Sequence, residues 1–459
     1  MQAEKQDAFE DSDPGLNDER IRSVVAAVDA GDVDRVNELL EPLHAADVAD
    51  LLEQVSGTER TALIELWGEG INGEVLSELD ESIREPVLGT LPPEALAEAI
   101  RELDSDDVVD LVEDLKHEQQ ARVLEALDAT DRMSVEGALS YPEYSAGRLM
   151  QREMVALPED WNVGQAIDHV RSHDDLPQQF YHLVLVSPAM KPVGYVSLGH
   201  LLSSRRDRAL ADIMEPSFRT VCVTDAESEV AYLFNHYHLI SAPVVDEGGR
   251  LVGVITIDDA MAVLDEEHEE DILRLAGVDE DSSLTDTVLK TTRVRAVWLF
   301  VNLITAILAS VVISIYSETI DQMVALAVLM PIVASMGGNA GTQTMTVAVR
   351  AIATKELTAS NALRVTLREI TVGAINGLGF GVLMAIVAGF WFGVPLLAAV
   401  IAMAMLLTLM AAALGGIVTP IVLERLKIDP ALASGPLVTT ITDVVGFFAF
   451  LGLASAVLL

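Results

Sequence analysis

The sequence predicts a multidomain protein: an acidic, largely helical soluble part followed by a five-span α-helical membrane domain. Four observations predict it. The chain holds 71 acidic residues yet has a positive mean hydropathy of +0.36, which requires charged and apolar residues to be segregated. Of the 71 acidic and 29 basic residues, 64 and 23 precede Ala296, so nearly all the negative charge lies in the first part. Within that part the texture changes near Tyr141, from short amphipathic helices to a β-α-β-β-α order that occurs twice. Beyond Ala296 come five apolar segments, each long enough for the roughly 20 residues that cross a hydrocarbon core. The expected organisation is a disordered tail (1–19), a helical domain (20–140), a tandem α/β pair (141–257), a connecting helix and linker (258–292) and the membrane domain (293–459).

The first nineteen residues are polar and acidic, with none of the apolar core of a signal peptide, so the charged part is expected to remain in the cytosol. Cys222 is the lone cysteine, which excludes an intrachain disulfide. An acidic surface of this density repels nucleic acid and attracts cations, although a solvated surface adapted to salt gives the same count.

In the helical domain, Leu43-His-Ala-Ala-Asp-Val-Ala-Asp-Leu-Leu-Glu53 recurs as Leu103-Asp-Ser-Asp-Asp-Val-Val-Asp-Leu-Val-Glu113. A looser copy begins at Leu91, where Pro92 and Pro93 suit a helix start. Such repeats suggest a small solenoid-like stack. Asp106 and Asp110, four apart, share a helix face, as do Asp107 and Asp110 at a spacing of three. Like charges so placed cost stability unless a cation or water separates them; alternatively they complement the helix dipole.

Two copies of the next module align. Met154-Val-Ala-Leu157 answers Val221-Cys-Val223, Leu183–Val186 answers Ala242–Val245, and Val193-Gly-Tyr-Val-Ser197 answers Val252-Gly-Val-Ile-Thr256. This order resembles a tandem pair of CBS domains over roughly residues 145–264. The resemblance implies an adenine nucleotide such as ATP as a ligand, with Thr256 and Asp259 at the positions that contact ribose and phosphate. The first copy has Ser197 and His200 there, so only one nucleotide site per chain is expected.

From Asp258 a helix follows whose polar side carries eight carboxylates, Asp258, Asp259, Asp265, Glu266, Glu267, Glu269, Glu270 and Asp271. Hard divalent cations bound through oxygen would neutralise that density; a solvated charged linker is the alternative.

In the membrane half, Arg293 and Arg295, then Arg350, Lys355, Arg364 and Arg368, then Arg425 and Lys427 all fall on one side. The positive-inside rule therefore expects a cytoplasmic N-terminus and an external C-terminus. The second span is expected to break at Pro331 to Thr344, where Gly337, Gly338, Asn339 and Gly341 interrupt the apolar run. Irregular backbone is tolerated only against protein or a watery cavity, whereas the same glycines would equally allow close helix contact. The last span, from Pro430, carries a single charge, Asp443, beside Thr439, Thr440 and Thr442. A mid-bilayer carboxylate costs about 2.5–3.5 kcal/mol on insertion scales, which favours a cation pathway over a mere helix–helix hydrogen bond.

Taken in order, these parts resemble the MgtE family of bacterial magnesium channels. The most specific matches are Gly337-Gly-Asn-Ala-Gly-Thr-Gln343, Asp429-Pro-Ala431 and Thr442-Asp-Val-Val-Gly446. The resemblance implies a homodimer in the bacterial inner membrane that binds Mg2+ at Asp443, with Thr439, Thr440 and Thr442 beside the ion and Asn339 and Gly338 lining the pore. It also implies regulatory Mg2+ at Asp258, Asp259, Glu266, Glu267, Glu269, Glu270 and Asp271, and at Asp106 and Asp110. Some members carry an asparagine eight residues before the pore aspartate; this chain has Gly435. The alternatives are transport of Co2+ or Mn2+, cation-coupled Mg2+ exchange, or a CBS sensor that transports nothing. No phosphate-cradling loop or nucleophile–base motif suggests an enzyme.

Overall fold

Helix α1 (Asp18–Ala30) begins where the Asn17 side chain accepts the Arg20 amide, within the stretch expected to be a tail. The computed structural model describes residues 15–113, 115–173, 176–177, 179–215, 218–278 and 288–458, so most of that tail lies outside the described residues. The chain divides at Glu266/Glu267 into two units.

In the first unit α1 is followed by α2 (Val33–Leu40), α3 (Ala45–Gln54), α4 (Gly57–Trp67), α5 (Gly73–Ser77), α6 (Glu81–Thr90), α7 (Pro93–Glu102), α8 (Ser105–Glu113), α9 (His117–Ala126) and α10 (Ala129–Ala138). The sequence repeats fall on α3, α7 and α8, and α7 starts at Pro93, which loses no hydrogen bond at the first helical position. Corresponding positions make the core: Val48, Ala49, Leu51 and Leu52 of α3 and Val108, Val109, Leu111 and Val112 of α8 are all buried. Burial of each such leucine or valine contributes about 1.5–3 kcal/mol.

A short helix α11 (Ala146–Leu149) leads into two three-stranded sheets. The first holds β1 (Ala156–Pro158), β2 (His182–Val186) and β3 (Pro192–Ser197), with α12 (Val163–Ser172) between β1 and β2 and α13 (Leu198–Ser203) after β3. The second holds β4 (Val221–Cys222), β5 (Ser241–Val245) and β6 (Leu251–Thr256), with α14 (Glu227–Tyr237) between β4 and β5. In both, the first pair is parallel and the second antiparallel, and the register slips at Leu185/Val186 and again at Val244/Val245. The order β-α-β-β-α is therefore present twice. Each copy is completed by the segment that precedes the other. Met150 packs into the core of the second copy, over Gly253, where a Cβ would lie 2.7 Å from its sulfur. Met214 does the same over Gly194, with 2.9 Å to its sulfur.

Helix α15 (Ile257–Leu275) follows directly and ends where Gly277 adopts φ +70°. The rest of the expected linker, 279–287, lies outside the described residues.

Among the described residues, the second unit contains five helices long and apolar enough to span a bilayer: α16 (Val288–Ile315), α18 (Ala325–Ala353), α19 (Ala362–Phe392), α20 (Pro395–Arg425) and α21 (Pro430–Leu458). A six-residue helix, α17 (Ser317–Gln322), occupies what reads in sequence as a loop. The expected break in the second span is not there, since α18 runs unbroken through Pro331 and the glycine run. The physical reason is packing. A Cβ on Gly337 would sit 2.7 Å from Thr408 Cγ2, and one on Gly341 would sit 2.7 Å from Val438 Cγ1. On the neighbouring helix, Gly416 brings its backbone so near Gly341 that a Cβ would meet that carbonyl oxygen at 2.6 Å. Small residues let backbones approach and keep the helical hydrogen bonds intact.

Candidate functional site: two carboxylate groups and a polar membrane stripe

Three arrangements of polar side chains stand out. The first lies in the soluble unit, where the acidic first turn of α8 meets that of α15. Asp106 is 7% exposed, and its Oδ1 accepts the Asp107 amide at 3.0 Å. Asp259 accepts the Thr256 hydroxyl at 2.5 Å and the Thr256 amide at 3.3 Å, which closes the first turn of α15. Burial pushes the carboxyl of Asp106 well above the usual range, and the charges of Asp259 and Asp107 add to it. Burial likewise raises Asp107 to about 7, helped by Asp259 and Asp104. Asp259 is pushed up to about 6 by burial, against the Thr256 hydrogen bonds. Asp104 is raised by burial and by Glu153 and Asp258. Among the described residues no Lys or Arg forms an ion pair with Asp106, Asp107 or Asp259.

Asp110 adds to this group only through its charge, which helps to raise Asp107. Its carboxylate takes the Arg84 guanidinium at 2.7 Å, although it shares a helix with Asp106. Asp104 and Asp107, which the sequence reading left out of the candidate set, complete the crowding instead. A signal exists for Asp104, where the other copy of the repeat has His44, but not for Asp107, which Asp47 matches. Glu153 holds the start of α8 by accepting from the Ser105 hydroxyl (2.7 Å) and amide (3.3 Å).

The second arrangement lies in the other unit. Arg274 reaches Glu270 at 2.8 Å and Asp429 at 2.8 Å. Asp429 is also the cap of α21, its Oδ1 accepting the Ala431 amide at 2.7 Å. Glu267 and Asp271 are each raised by burial; Asp429 pushes both up, while Arg274 pulls both down. Glu266 and Glu269, expected as ligands, are exposed. Among the described residues no three His, Cys, Asp or Glu side chains converge as a formed metal site.

The third arrangement is on α21. Gly435, Thr439 and Asp443 recur every four residues and so share one face. Thr439 is exposed, Asp443 is half-buried, and a Cβ on Gly435 would meet nothing within 4 Å. The opposite face, with Val438, Thr442 and Gly446, packs against α18 and α20. Thr442 is fully buried and donates to the Thr439 carbonyl at 2.9 Å, so it lies on the covered face rather than beside Asp443's open side. Thr440 donates to the Pro436 carbonyl at 2.6 Å. On α18, Asn339 is exposed and Gly338 borders open space.

The fold defines a class: a five-helix membrane protein with a carboxylate-rich helical and tandem α/β soluble part. Comparison with known proteins narrows it. The model of the MgtE family, described as a divalent cation transporter, matches residues 330–453. The MgtE intracellular N domain matches 43–144, and CBS domains match 146–207 and 210–266. The magnesium transporter MgtE of Thermus thermophilus is 34% identical over 95% of this chain and 98% of its own length. That of Bacillus subtilis is 29% identical over 96% of this chain and 97% of its own. The chain belongs to the MgtE family. Among solved structures, the cytosolic domain of the Mg2+ channel MgtE in complex with ATP matches at 32% identity and TM-score 0.49, covering 53% of this chain and 99% of that one.

Proposed function

We propose that the chain imports Mg2+ into the cytosol through a pore at the seam of a homodimer, closed by Mg2+ on its acidic cytosolic groups. The observation that carries this reading is the polar stripe of Gly435, Thr439 and Asp443 on a membrane-spanning helix, exposed at Thr439 and half-buried at Asp443. A carboxylate turned toward lipid costs several kcal/mol, so the stripe calls for water, an ion or a second copy of itself. Magnesium gives up its waters reluctantly and prefers octahedral oxygen coordination. One carboxylate cannot replace six waters, but two Asp443 side chains across a twofold axis hold a hydrated ion through them. Asn339 and Gly338 line the same passage. The name borne by the relatives, magnesium transporter, supports Mg2+ over Co2+ or Mn2+ as the cargo.

The cytosolic carboxylates supply the sensor. Asp106, Asp107 and Asp259 are hard oxygen donors crowded enough to raise their carboxyls, and with Asp258 beside them they suit a small divalent cation. Glu267, Glu270 and Asp271 form a second regulatory group. Occupied, these sites tie α8 and α15 together and favour the closed pore; empty, their repulsion favours release. An adenine nucleotide at Thr256 and Asp259 would have to share Asp259 with the cation, so the two ligands are expected to be linked there. The basic residues at one end of the spans support a cytosolic N-terminus.

Mg2+ uptake into proteoliposomes tests the reading. Asp443→Asn is expected to lower uptake by about tenfold or more, because the pore loses its fixed charge. Uptake unchanged by Asp443→Asn and by Asp443→Ala would remove the pore assignment.

A further inference from the structure

The connecting helix ends in a contact that the carboxylate reading leaves unexplained. Its last turn carries one cation, Arg274, whose guanidinium bridges Glu270 on the same helix and Asp429 on another. Asp429 does two jobs at once. One oxygen caps α21 through the Ala431 amide (2.7 Å), and the other receives Arg274 (2.8 Å). The next residue, Leu275, packs against Met345 and Val349 of α18 and Ala431 and Val438 of α21. These are the two helices that carry Asn339 and Asp443. The pair is poorly exposed, with 18% of the Arg274 side chain and 33% of that of Asp429 accessible. Charge-assisted hydrogen bonds so shielded are stronger than surface ion pairs.

We propose that Arg274 is a positioning residue of the gate, a built-in cation that clasps the end of the connecting helix to the cap of the pore helix without any bound metal. Four carboxylates, Glu267, Glu270, Asp271 and Asp429, surround it. Without a positive charge among them, their repulsion would lift the last turn of α15 off its seat at Leu275. Arg274 supplies that charge permanently, so a divalent cation adds to a contact already made and needs to supply only the remainder. The clasp therefore sets the concentration at which internal Mg2+ closes the pore. From the cap, Asp443 lies fourteen residues on, about 21 Å along the helix axis at 1.5 Å per residue.

This inference rests on the proposed gating, and its test separates the two. Proteoliposomes of the full chain are assayed for Mg2+ uptake against internal Mg2+, each variant normalised to its own maximum. Arg274→Gln is expected to raise the half-closing concentration by about five- to twentyfold. Arg274→Lys, which keeps the charge, should restore most of the difference. Asp429→Asn retains a cap of equal quality and loses only the charge. It should match Arg274→Gln, and the double variant should show no further shift. Independent, additive shifts, or an Arg274→Gln curve that coincides with the wild type, would overturn the clasp. A second readout needs no gating. In chelator, amide exchange of residues 270–278 should be slow in the wild type and fast in Arg274→Gln; equal exchange rates overturn the proposal. A wild type that never closes with internal Mg2+ refutes the gating reading, while the exchange experiment still decides the clasp.

Discussion

The two carboxylate groups at the two ends of α15 differ in one component. Around Asp106, Asp107 and Asp259 there is no ion-pairing Lys or Arg among the described residues, and burial and mutual repulsion push the carboxyls toward protonation. Around Glu267, Asp271 and Asp429 the guanidinium of Arg274 opposes the same two forces. The first group must take its positive charge from solution, as protons or metal ions, whereas the second already holds one. Responsiveness to the medium should therefore concentrate in the first group, and mechanical continuity in the second.

The largest effect expected from this contrast is on the metal response of stability. Saturating Mg2+ should stabilise the full chain in detergent by about 2–3 kcal/mol, the linkage expected near a hundredfold excess over Kd. Asp106→Asn with Asp107→Asn and Asp259→Asn should remove most of that gain, read as the shift in Tm on adding Mg2+. If the triple variant responds as the wild type does, the first group is not where solution cations act.

The next effect is a pH dependence whose sign follows from the raised carboxyls. Between the unfolded value near 3.8 and the folded value of about 7, Asp107 binds more protons folded than unfolded. Stability therefore falls as pH rises across that window, with Asp259 contributing between 3.8 and about 6. In metal-free buffer the Tm should drop from pH 5 to pH 7.5, and Mg2+ at pH 7.5 should recover it. The second group should contribute less to this slope until Arg274→Gln removes its cation and raises Glu267 and Asp271 further.

Much of this architecture can be read before any coordinates, because it rests on periodicities. Five apolar runs become five spans, and the doubled β-α-β-β-α order becomes two sheets with the same register slip. What sequence leaves open is which partner a side chain meets. Asp106 and Asp110 share a helix face by spacing, yet one joins an acidic crowd and the other pairs with Arg84, which comes from another helix 26 residues earlier. The glycine run allows either a broken helix or a close contact, and only the positions of Thr408, Val438 and Gly416 select the contact. Thr442 and Thr439 are equally polar by composition, but their three-residue offset turns one toward α18 and leaves the other uncovered. Arg274 looks like an ordinary last-turn base complementing the helix dipole until Asp429 arrives from more than 150 residues away.

The smallest expected effect is also the cleanest separation of local from tertiary causes. Ala46 and Asp106 are equivalent positions in the repeat, each the second residue of its helix. An acidic side chain there complements the helix dipole, so Ala46→Asp should stabilise α3 by about 0.3–1 kcal/mol and add no response to Mg2+. Asp106→Ala performs the reverse exchange in α8, where the same dipole argument predicts a loss of similar size. The buried neighbours Asp107 and Asp259 reverse that sign, because the carboxylate they repel is removed. Metal-free Tm at pH 7.5 should therefore rise in both variants, and the Mg2+ increment should shrink only in Asp106→Ala. A drop in metal-free Tm for Asp106→Ala would mean that helix-end electrostatics outweigh the crowding, and the contrast between the two carboxylate groups would lose its physical basis.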